Sequence, residues 1–139
     1  MDMSRLNLEV FAEKGATMEL LHPVDNDVLT TEENGKGEPI TISLLGSDSK
    51  AFKNKSRELA RRRVAKYQKS RNKSVDHTVS DEEASELLVA CTTGWSGIVV
   101  DGEQVEFSEE AAMDLYCKNS WIREQVDAFV GDRASFFTD

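Results

Sequence analysis

The sequence contains few of the residues from which catalytic and metal centres are usually built. It has two histidines, His22 and His77, and two cysteines, Cys91 and Cys117. Neither histidine lies at a spacing typical of metal ligands, and the cysteines are far apart in separate helical patterns. We therefore expect no catalytic, metal or cofactor site, and we predict that both cysteines are buried free thiols in a reducing compartment.

The sequence also lacks long hydrophobic runs. No stretch of 18 or more apolar residues is present, which excludes a membrane-spanning helix of ordinary length. The first ten residues carry Asp2, Arg5 and Glu9 and contain no apolar stretch of the kind found in secretory signals. We therefore expect a protein of the cytoplasm with no membrane partner.

Motifs of known catalytic types are absent or incomplete. Residues 35–37 (Gly-Lys-Gly) lack the flanking strand and helix and the Ser/Thr of a phosphate-binding loop. Residues 94–97 (Gly-Trp-Ser-Gly) follow a helical pattern and have the wrong glycine spacing for a nucleophile elbow. A Cys/His dyad brought together by the fold is left open, although nothing in the sequence supports it, and we expect no enzyme.

Charge, by contrast, is abundant and unevenly distributed. The net charge is −9, yet residues 47–79 hold 11 of the 17 Lys/Arg and only three acids, a local charge of +8. Residues 1–46 carry −6 and residues 80–139 carry −11. Opposite charges in separate blocks indicate either pairing within the chain or head-to-tail contact between copies.

Residues 1–46 predict a small antiparallel sheet. Residues 3–14 form either a short helix, capped by Ser4 and sharing Leu6, Val10 and Phe11 on one face, or a frayed tail, and Gly15 ends it. The remaining elements are strands at 17–21, 28–29 and 40–45, with a turn at 25–26 and a loop at 30–39. The strand at 40–45 should pair with the first, and such a sheet needs a helix to pack against.

Residues 47–139 predict a helical body. The longest helix, about 49–70, begins at an Asp48 N-cap and carries one apolar stripe: Phe52, Leu59, Ala60, Val64 and Tyr67. Residues 70–79 are predicted to be a linker. A capping box of Ser80 and Glu83 begins the next helix, which ends at Gly94.

The rest of this body is predicted to be a hairpin and two more helices. The hairpin, near 98–107, turns at Asp101-Gly102. Ser108 caps a helix at about 109–118, another runs over roughly 121–131, and a tail begins at Asp132. The predicted class is therefore α+β and helix-dominated. Its two parts are an N-terminal β-hairpin region, 1–46, and a body of about four helices, 47–139.

Several phrases, in order, carry a resemblance to a known family. They are Met18–Pro23, Ile40–Ser49, Cys91–Gly97, Asp101-Gly102, Phe107-Ser108 and Trp121–Arg133. Taken together they resemble the tail assembly chaperones of long-tailed, siphovirus-type bacteriophages and prophages. The resemblance implies a non-catalytic protein of the bacterial host cytoplasm. Such a protein binds the tape measure protein, keeps it soluble, promotes polymerisation of the tail tube protein and is absent from the virion. It also implies a mainly helical fold and self-association into rings or spirals.

The candidate residues for contact with a partner are aromatic and arginine side chains, which are common in protein interfaces. Trp95, Trp121, Phe136 and Phe137 are the candidate apolar anchors, and Arg61, Arg62 and Arg63 are the candidate charged ones. The alternative for each tryptophan is plain core packing, and for the arginines a solvated helix face. Two other functions are left open. One is a nucleic-acid-associated phage regulator that uses the basic helix 49–73, which the acidic remainder disfavours. The other is a structural tail component that stays in the virion.

Overall fold

The computed structural model describes residues 2–32, 36–69 and 80–137. Within these residues the fold is α+β and helix-dominated, as predicted. Its elements, in chain order, are α1 (Leu8–Lys14), β1 (Ala16–Glu19), β2 (Thr41–Leu44), α2 (Lys50–Lys69), α3 (Asp81–Cys91), β3 (Thr92–Ser96), β4 (Val99–Val100), β5 (Glu103–Gln104), α4 (Glu109–Lys118) and α5 (Ser120–Gly131), with 3-10 turns at Met3–Leu6 and Arg133–Ser135.

The main sheet is antiparallel in the order β1-β2-β3, with Ile42 opposite both Met18 and Trp95. The predicted pairing of the first two strands is confirmed, and Ile42 and Leu44 are buried on one face as their alternation predicts. The predicted return strand at 28–29 is limited to an isolated bridge between Leu21 and Val28.

The third strand corrects the sequence prediction. We predicted that the helix beginning at Ser80 ends at Gly94, but α3 ends at Cys91 and Thr92 is already extended, with φ −83° and ψ 125°. The two threonines and the tryptophan that follow favour strand because they are β-branched or aromatic. Pairing of β3 with β2 then adds a third strand to the N-terminal sheet.

The N-terminal segment is a 3-10 turn followed by α1. The predicted Ser4 cap is wrong, because the Asp2 carboxylate accepts the Ser4 N–H at 3.0 Å. Gly15 ends α1 as predicted: its φ is +79° and its N–H donates to the Phe11 carbonyl. Ala12 of α1 is buried and Phe11 packs against the core, whereas Leu6 and Val10 are 41% and 59% exposed, so the predicted apolar face is confirmed only at Phe11.

Helix α2 begins one residue later than predicted. Ser49, which is fully buried, accepts the Phe52 N–H through its hydroxyl at 3.3 Å, so Ser49 and not Asp48 caps the helix. Asp48 is instead held by Arg133, whose Nε and a terminal nitrogen donate at 2.8 and 3.0 Å. This pair joins the start of α2 to the turn that follows α5.

The apolar stripe predicted along α2 is only partly buried. Leu59 is 4% exposed and Phe52 packs against the core, but Val64 and Tyr67 are each 57% exposed and Ala60 is exposed as well. Helix α3 begins at Asp81, and the ion pairs between the two helices reach Arg63 and Glu83. The later turns of α2 therefore extend past the start of α3. The linker predicted for 70–79 lies outside the described residues.

Three local signals read from the sequence are confirmed. The Ser80 hydroxyl accepts the Glu83 N–H at 3.1 Å, and the Ser108 hydroxyl accepts the Ala111 N–H at 3.0 Å. Asp101 and Gly102 both have positive φ, 52° and 79°, as a type I′ hairpin turn requires. The Glu83 carboxylate accepts from Arg63 Nε and so contributes to packing between α2 and α3; of the predicted capping box, the bond from the Glu83 N–H to Ser80 is the half that is confirmed.

One hydrophobic core lies between the sheet and the helices. It contains Ile42 and Leu44 from β2 together with Leu88, Tyr116 and Val126 from α3, α4 and α5. The predicted boundary at residue 46 therefore separates two parts that share this core and, through β3, the main sheet. Whether the two parts are separate domains stays a prediction.

The two cysteines have different environments. Cys91 is fully buried, as predicted, and burial raises the pKa of its thiol to about 12. Cys117 is exposed on α4, so its predicted burial is wrong. The reason is helical phase: Leu115 and Tyr116 take the inward positions of this turn, and the next residue points outward.

Candidate protein-binding surfaces

An open, shallow groove lies on the outer side of α3 and α4. It consists of two adjoining depressions, of about 810 Å³ and 360 Å³, which share Glu110 and Met113. The larger depression extends along α4 to Cys117, and the smaller one reaches across α3 to Lys55 of α2. We call this surface the α3–α4 groove. The residues lining it are Lys55, Glu82, Glu86, Val89, Ala90, Ser108, Glu109, Glu110, Ala111, Met113, Asp114 and Cys117.

The sequence of α4 explains the apolar floor of the groove. Ser108 fixes the helix start, and Ala112, Leu115 and Tyr116 point into the core. Met113 therefore lies on the flank of the helix, half-buried beside Val89 of α3 in the smaller depression. Methionine is flexible and polarisable, so a floor of this kind adapts to different apolar partners.

The rim of the groove is acidic. Glu82, Glu109 and Glu110 have no ion-pair partner among the described residues, whereas Glu86 pairs with Arg62 at 2.6 Å and Asp114 with Lys118 at 3.0 Å. The three unpaired carboxylates all lie in first helical turns, where the helix dipole stabilises negative charge. An apolar floor with a negative rim suits an amphipathic helix flanked by lysine or arginine.

The three consecutive arginines have different roles. Arg62 bonds Glu58 of its own helix at 2.7 Å and Glu86 at 2.6 Å, and Arg63 bonds Glu83 at 3.2 Å, so both arginines connect α2 to α3. The Arg62 hydrogen bond is the main reason that the pKa of Glu58 lies below its ordinary value. Arg61 is exposed and forms no ion pair with a described residue, which leaves it free to meet a partner.

Arg61 belongs to a larger surface, which we call the outer face of α2. Its six residues are all exposed and recur at spacings of one, three and four along the helix: Lys53, Arg57, Ala60, Arg61, Val64 and Tyr67. The first half of this face is basic and the second half is largely apolar. It therefore has the composition of an amphipathic helix that lacks a partner within the described residues.

The two tryptophans, predicted as anchors, both pack against the core and are partly buried. Trp95 donates from its ring nitrogen to the Val105 carbonyl at 2.9 Å and meets Phe107 edge-on, with ring centroids 5.2 Å apart. It therefore holds the segment after the hairpin against β3. Trp121, at the start of α5, retains a part-exposed surface. A role for either tryptophan in partner binding stays a prediction.

The two C-terminal phenylalanines separate into a core residue and a surface residue. Phe136 is 4% exposed and packs edge-on against Phe129 at 5.2 Å, so its proposed role as a partner anchor is corrected to core packing. Phe137 is 39% exposed and lies against Phe11, with ring centroids 4.9 Å apart. Only Phe137 of this pair keeps a surface available to a partner.

The histidine that lies within the described residues, His22, has a role in a turn. Nδ1 of His22 accepts the N–H groups of Val24 and Asp25 at 3.1 and 3.2 Å, which closes the turn after β1. His77 lies outside the described residues. No described helix is long and apolar enough to cross a membrane.

Sequence reasoning missed the α3–α4 groove. Its one usable signal was Met113, an apolar residue at a position outside the inward stripe of α4. Comparison of the chain with protein-family models, curated proteins and solved structures found no match.

Proposed function

We propose that this protein is a tail assembly chaperone of a long-tailed bacteriophage or prophage, and that the α3–α4 groove is its client-binding surface. The ordered sequence phrases between residues 18 and 133 support the family. The groove carries the proposal structurally, because it combines an open apolar floor around Met113 with an acidic rim, three of whose glutamates have no ion-pair partner among the described residues. The chain acts by binding other proteins and not by catalysis.

The client is the tape measure protein of the same genome. Before a tail tube surrounds it, a long helical protein exposes apolar surface that would otherwise aggregate. A helix of the client lies along the groove with apolar side chains on Met113 and Val89 and with Lys/Arg beside Glu82, Glu109 and Glu110. The acidic remainder of the chaperone keeps the complex soluble. The tail tube protein then polymerises around the client in the bacterial cytoplasm, and the chaperone leaves before the virion is complete.

Co-expression with the tape measure protein tests this proposal. We expect wild-type chaperone to bring the tape measure protein into the soluble fraction and to co-purify with it in several-copy excess. Met113→Asp should abolish this, because it places a charge on the apolar floor. Val99→Asp is the matched control: Val99 is 57% exposed and lies on β4, outside the groove.

Thermal unfolding of each purified variant separates loss of binding from loss of folding. An insoluble tape measure protein beside a folded wild-type chaperone would contradict the proposal. So would equal solubilisation by Met113→Asp and Val99→Asp, because the groove would then not be the client surface.

Nucleic-acid binding is the second candidate, and the outer face of α2 is the observation that favours it. Lys53, Arg57 and Arg61 are exposed and have no acidic partner among the described residues. Phosphate binding through them would weaken steeply with salt and would be lost in Arg57→Glu. On our proposal DNA and RNA bind only weakly and without this residue dependence. The third candidate, a structural tail component, is tested by mass spectrometry of purified virions, in which we expect this chain to be absent.

A further inference from the structure

Strand β1 forms one edge of the main sheet, and two of its residues direct their backbone groups away from that sheet. The Leu20 N–H donates to the Ile40 carbonyl at 2.9 Å, in the register that pairs β1 with β2. Successive residues of an antiparallel pair alternate in the direction of their N–H and C=O groups. The backbone groups of Thr17 and Glu19 therefore point outward, and both residues are exposed.

The next outward-directed residue along the chain, Leu21, already has a partner of the kind that this edge requires. The Gln125 side chain of α5 accepts the Leu21 N–H and donates to the Leu21 carbonyl, both at 2.9 Å. A side-chain amide offers the same acceptor and donor as a peptide unit, so Gln125 occupies the position of an adjacent strand. Thr17 and Glu19 present the same pair of backbone groups, and no described residue bonds to them.

We propose that β1 binds an extended segment of a partner protein, which pairs with Thr17 and Glu19 as an antiparallel edge strand of the main sheet. Such pairing gives each of these two residues two backbone hydrogen bonds. Gln125 closes the edge at Leu21, so the added strand is short and ends beside Glu19. This edge shares no residue with the α3–α4 groove, and its binding does not depend on the proposed function.

The side chains of β1 define the composition of the bound segment. Met18 is buried on the core side of the sheet, whereas Thr17 and Glu19 are exposed on the other side. Side chains of a paired strand point to the same side as the residues that they lie opposite. The Glu19 carboxylate has no ion-pair partner among the described residues, so lysine or arginine fits opposite it. The segment therefore has a basic residue between two apolar ones.

Hydrogen exchange of the protein without peptide tests the unpaired edge. We expect the amides of Met18 and Leu21, which bond to β2 and to Gln125, to be protected from exchange. The amides of Thr17 and Glu19 should exchange much faster, because they have no such partner. Equal protection of all four amides would overturn the proposal, since the edge would then already be occupied.

A capped peptide of sequence Val-Lys-Val-Thr-Val is the probe, with its lysine opposite Glu19. Titration into isotope-labelled protein, followed by NMR, should shift the Thr17 and Glu19 amides saturably and slow their exchange. Methylation of the lysine backbone nitrogen removes a donor to Glu19 and should raise the dissociation constant about tenfold. Methylation of the central valine nitrogen is the matched control, because this nitrogen points away from β1 and binding should persist.

Substitutions of Thr17 test the same edge from the protein side. Thr17→Pro removes an outward N–H and leaves the hydrogen bonds between β1 and β2 in place, so the peptide should bind about tenfold more weakly. Thr17→Val keeps this N–H and loses only the side-chain contact with Ser43 Oγ at 3.1 Å, so peptide binding should be unchanged. Thermal unfolding shows whether each variant is folded, and the methylated peptides test the edge on wild-type protein in either case.

The outcomes separate this proposal from its alternatives. Equal binding of the two methylated peptides, or equal affinity of Thr17→Pro and Thr17→Val, would overturn pairing at β1. Peptide-induced shifts at Met113 and not at Thr17 would place the peptide in the α3–α4 groove, which overturns this inference and leaves the proposed function standing. A dimer of the wild-type chain that Thr17→Pro dissociates would make a second copy the occupant of the edge and overturn the proposed partner segment.

Discussion

A buried hydrogen bond between Thr92 and Tyr116 joins the end of α3 to α4. Thr92 Oγ1 lies 2.8 Å from the Tyr116 hydroxyl and 2.8 Å from the Leu88 carbonyl. Tyr116 is fully buried and Thr92 is 7% exposed, so neither group is compensated by water. The threonine hydroxyl has one proton, which it donates to Leu88, and the tyrosine is therefore the donor to Thr92.

Replacement of Thr92 and replacement of Tyr116 should lower the free energy of unfolding by different amounts. Thr92→Val leaves the Tyr116 hydroxyl and the Leu88 carbonyl without this partner, and we expect a loss of about 2–3 kcal/mol. Tyr116→Phe removes the donor while Thr92 keeps its bond to Leu88, and we expect a loss of about 1 kcal/mol. The double variant should lose less than the sum of the two single losses, because no unpaired hydroxyl remains.

Urea unfolding of the wild type, the two single variants and the double variant measures this coupling as a double-mutant cycle. We expect an interaction energy of at least about 0.5 kcal/mol with unchanged m-values. Additive losses, or a neutral Thr92→Val, would refute the assigned hydrogen bond. Burial raises the pKa of the Tyr116 phenol to about 12, so alkaline titration of tyrosine absorbance gives an independent measure.

Three other predictions concern single positions. At pH 8 a maleimide should label Cys117 rapidly and Cys91 only after unfolding, because burial raises the pKa of Cys91 to about 12. Peptide mapping identifies the thiol that reacts. Labelling of Cys91 in the folded protein would contradict this prediction. Gly15→Ala should lower the free energy of unfolding, measured in urea, by about 2 kcal/mol. The reason is that φ of Gly15 is +79° and the new Cβ would lie 2.8 Å from the Leu44 carbonyl oxygen. An unchanged free energy of unfolding would argue against this backbone conformation. Asp48→Asn should lower the free energy of unfolding by less than about 1 kcal/mol in the same assay, because its partner Arg133 is 63% exposed and water screens the pair. A larger loss would show that the pair contributes more than a surface ion pair does.

Alkaline pH should destabilise the fold through the same buried thiol. The pKa of Cys91 is raised in the folded state from 9.0 to about 12, so folding favours the protonated form. The stability that the buried thiol contributes is fully present below pH 9 and is lost progressively as the pH rises towards 12. We expect the urea midpoint to fall over this window and to fall less in Cys91→Ala, and equal slopes for both proteins would contradict the assignment.

Elements specified by neighbouring residues were predicted well from the sequence. The Ser80 and Ser108 caps and the Asp101-Gly102 turn each depend on contacts within four residues. Alternation along 40–45 was sufficient to predict which face of β2 is buried. These features depend only on residues that are close together in the sequence, so a single sequence is enough to predict them.

Apart from the pairing of β1 with β2, the features that depend on distant residues were not predicted. Strand β3 depends on pairing with β2, about 50 residues earlier, and its threonines compete only weakly with continuation of α3. The spacing of Ala60, Val64 and Tyr67 predicts a buried stripe, but Val64 lies five residues after the buried Leu59, about 140° around the helix, so it points away from the core. The groove was missed because it exists only where α3 and α4 lie side by side.

The alkylation rate of Cys117 tests the central claim most directly, because this thiol lines the groove and is exposed. It should be measured at a dilution at which the chain is monomeric, and again in the complex purified after co-expression with the tape measure protein. If the tape measure protein occupies the groove, the rate in the complex should fall at least about tenfold, and a denaturant should restore it. An unchanged rate in a stable complex would place the client elsewhere on the protein, and failure to form any complex would contradict the chaperone function.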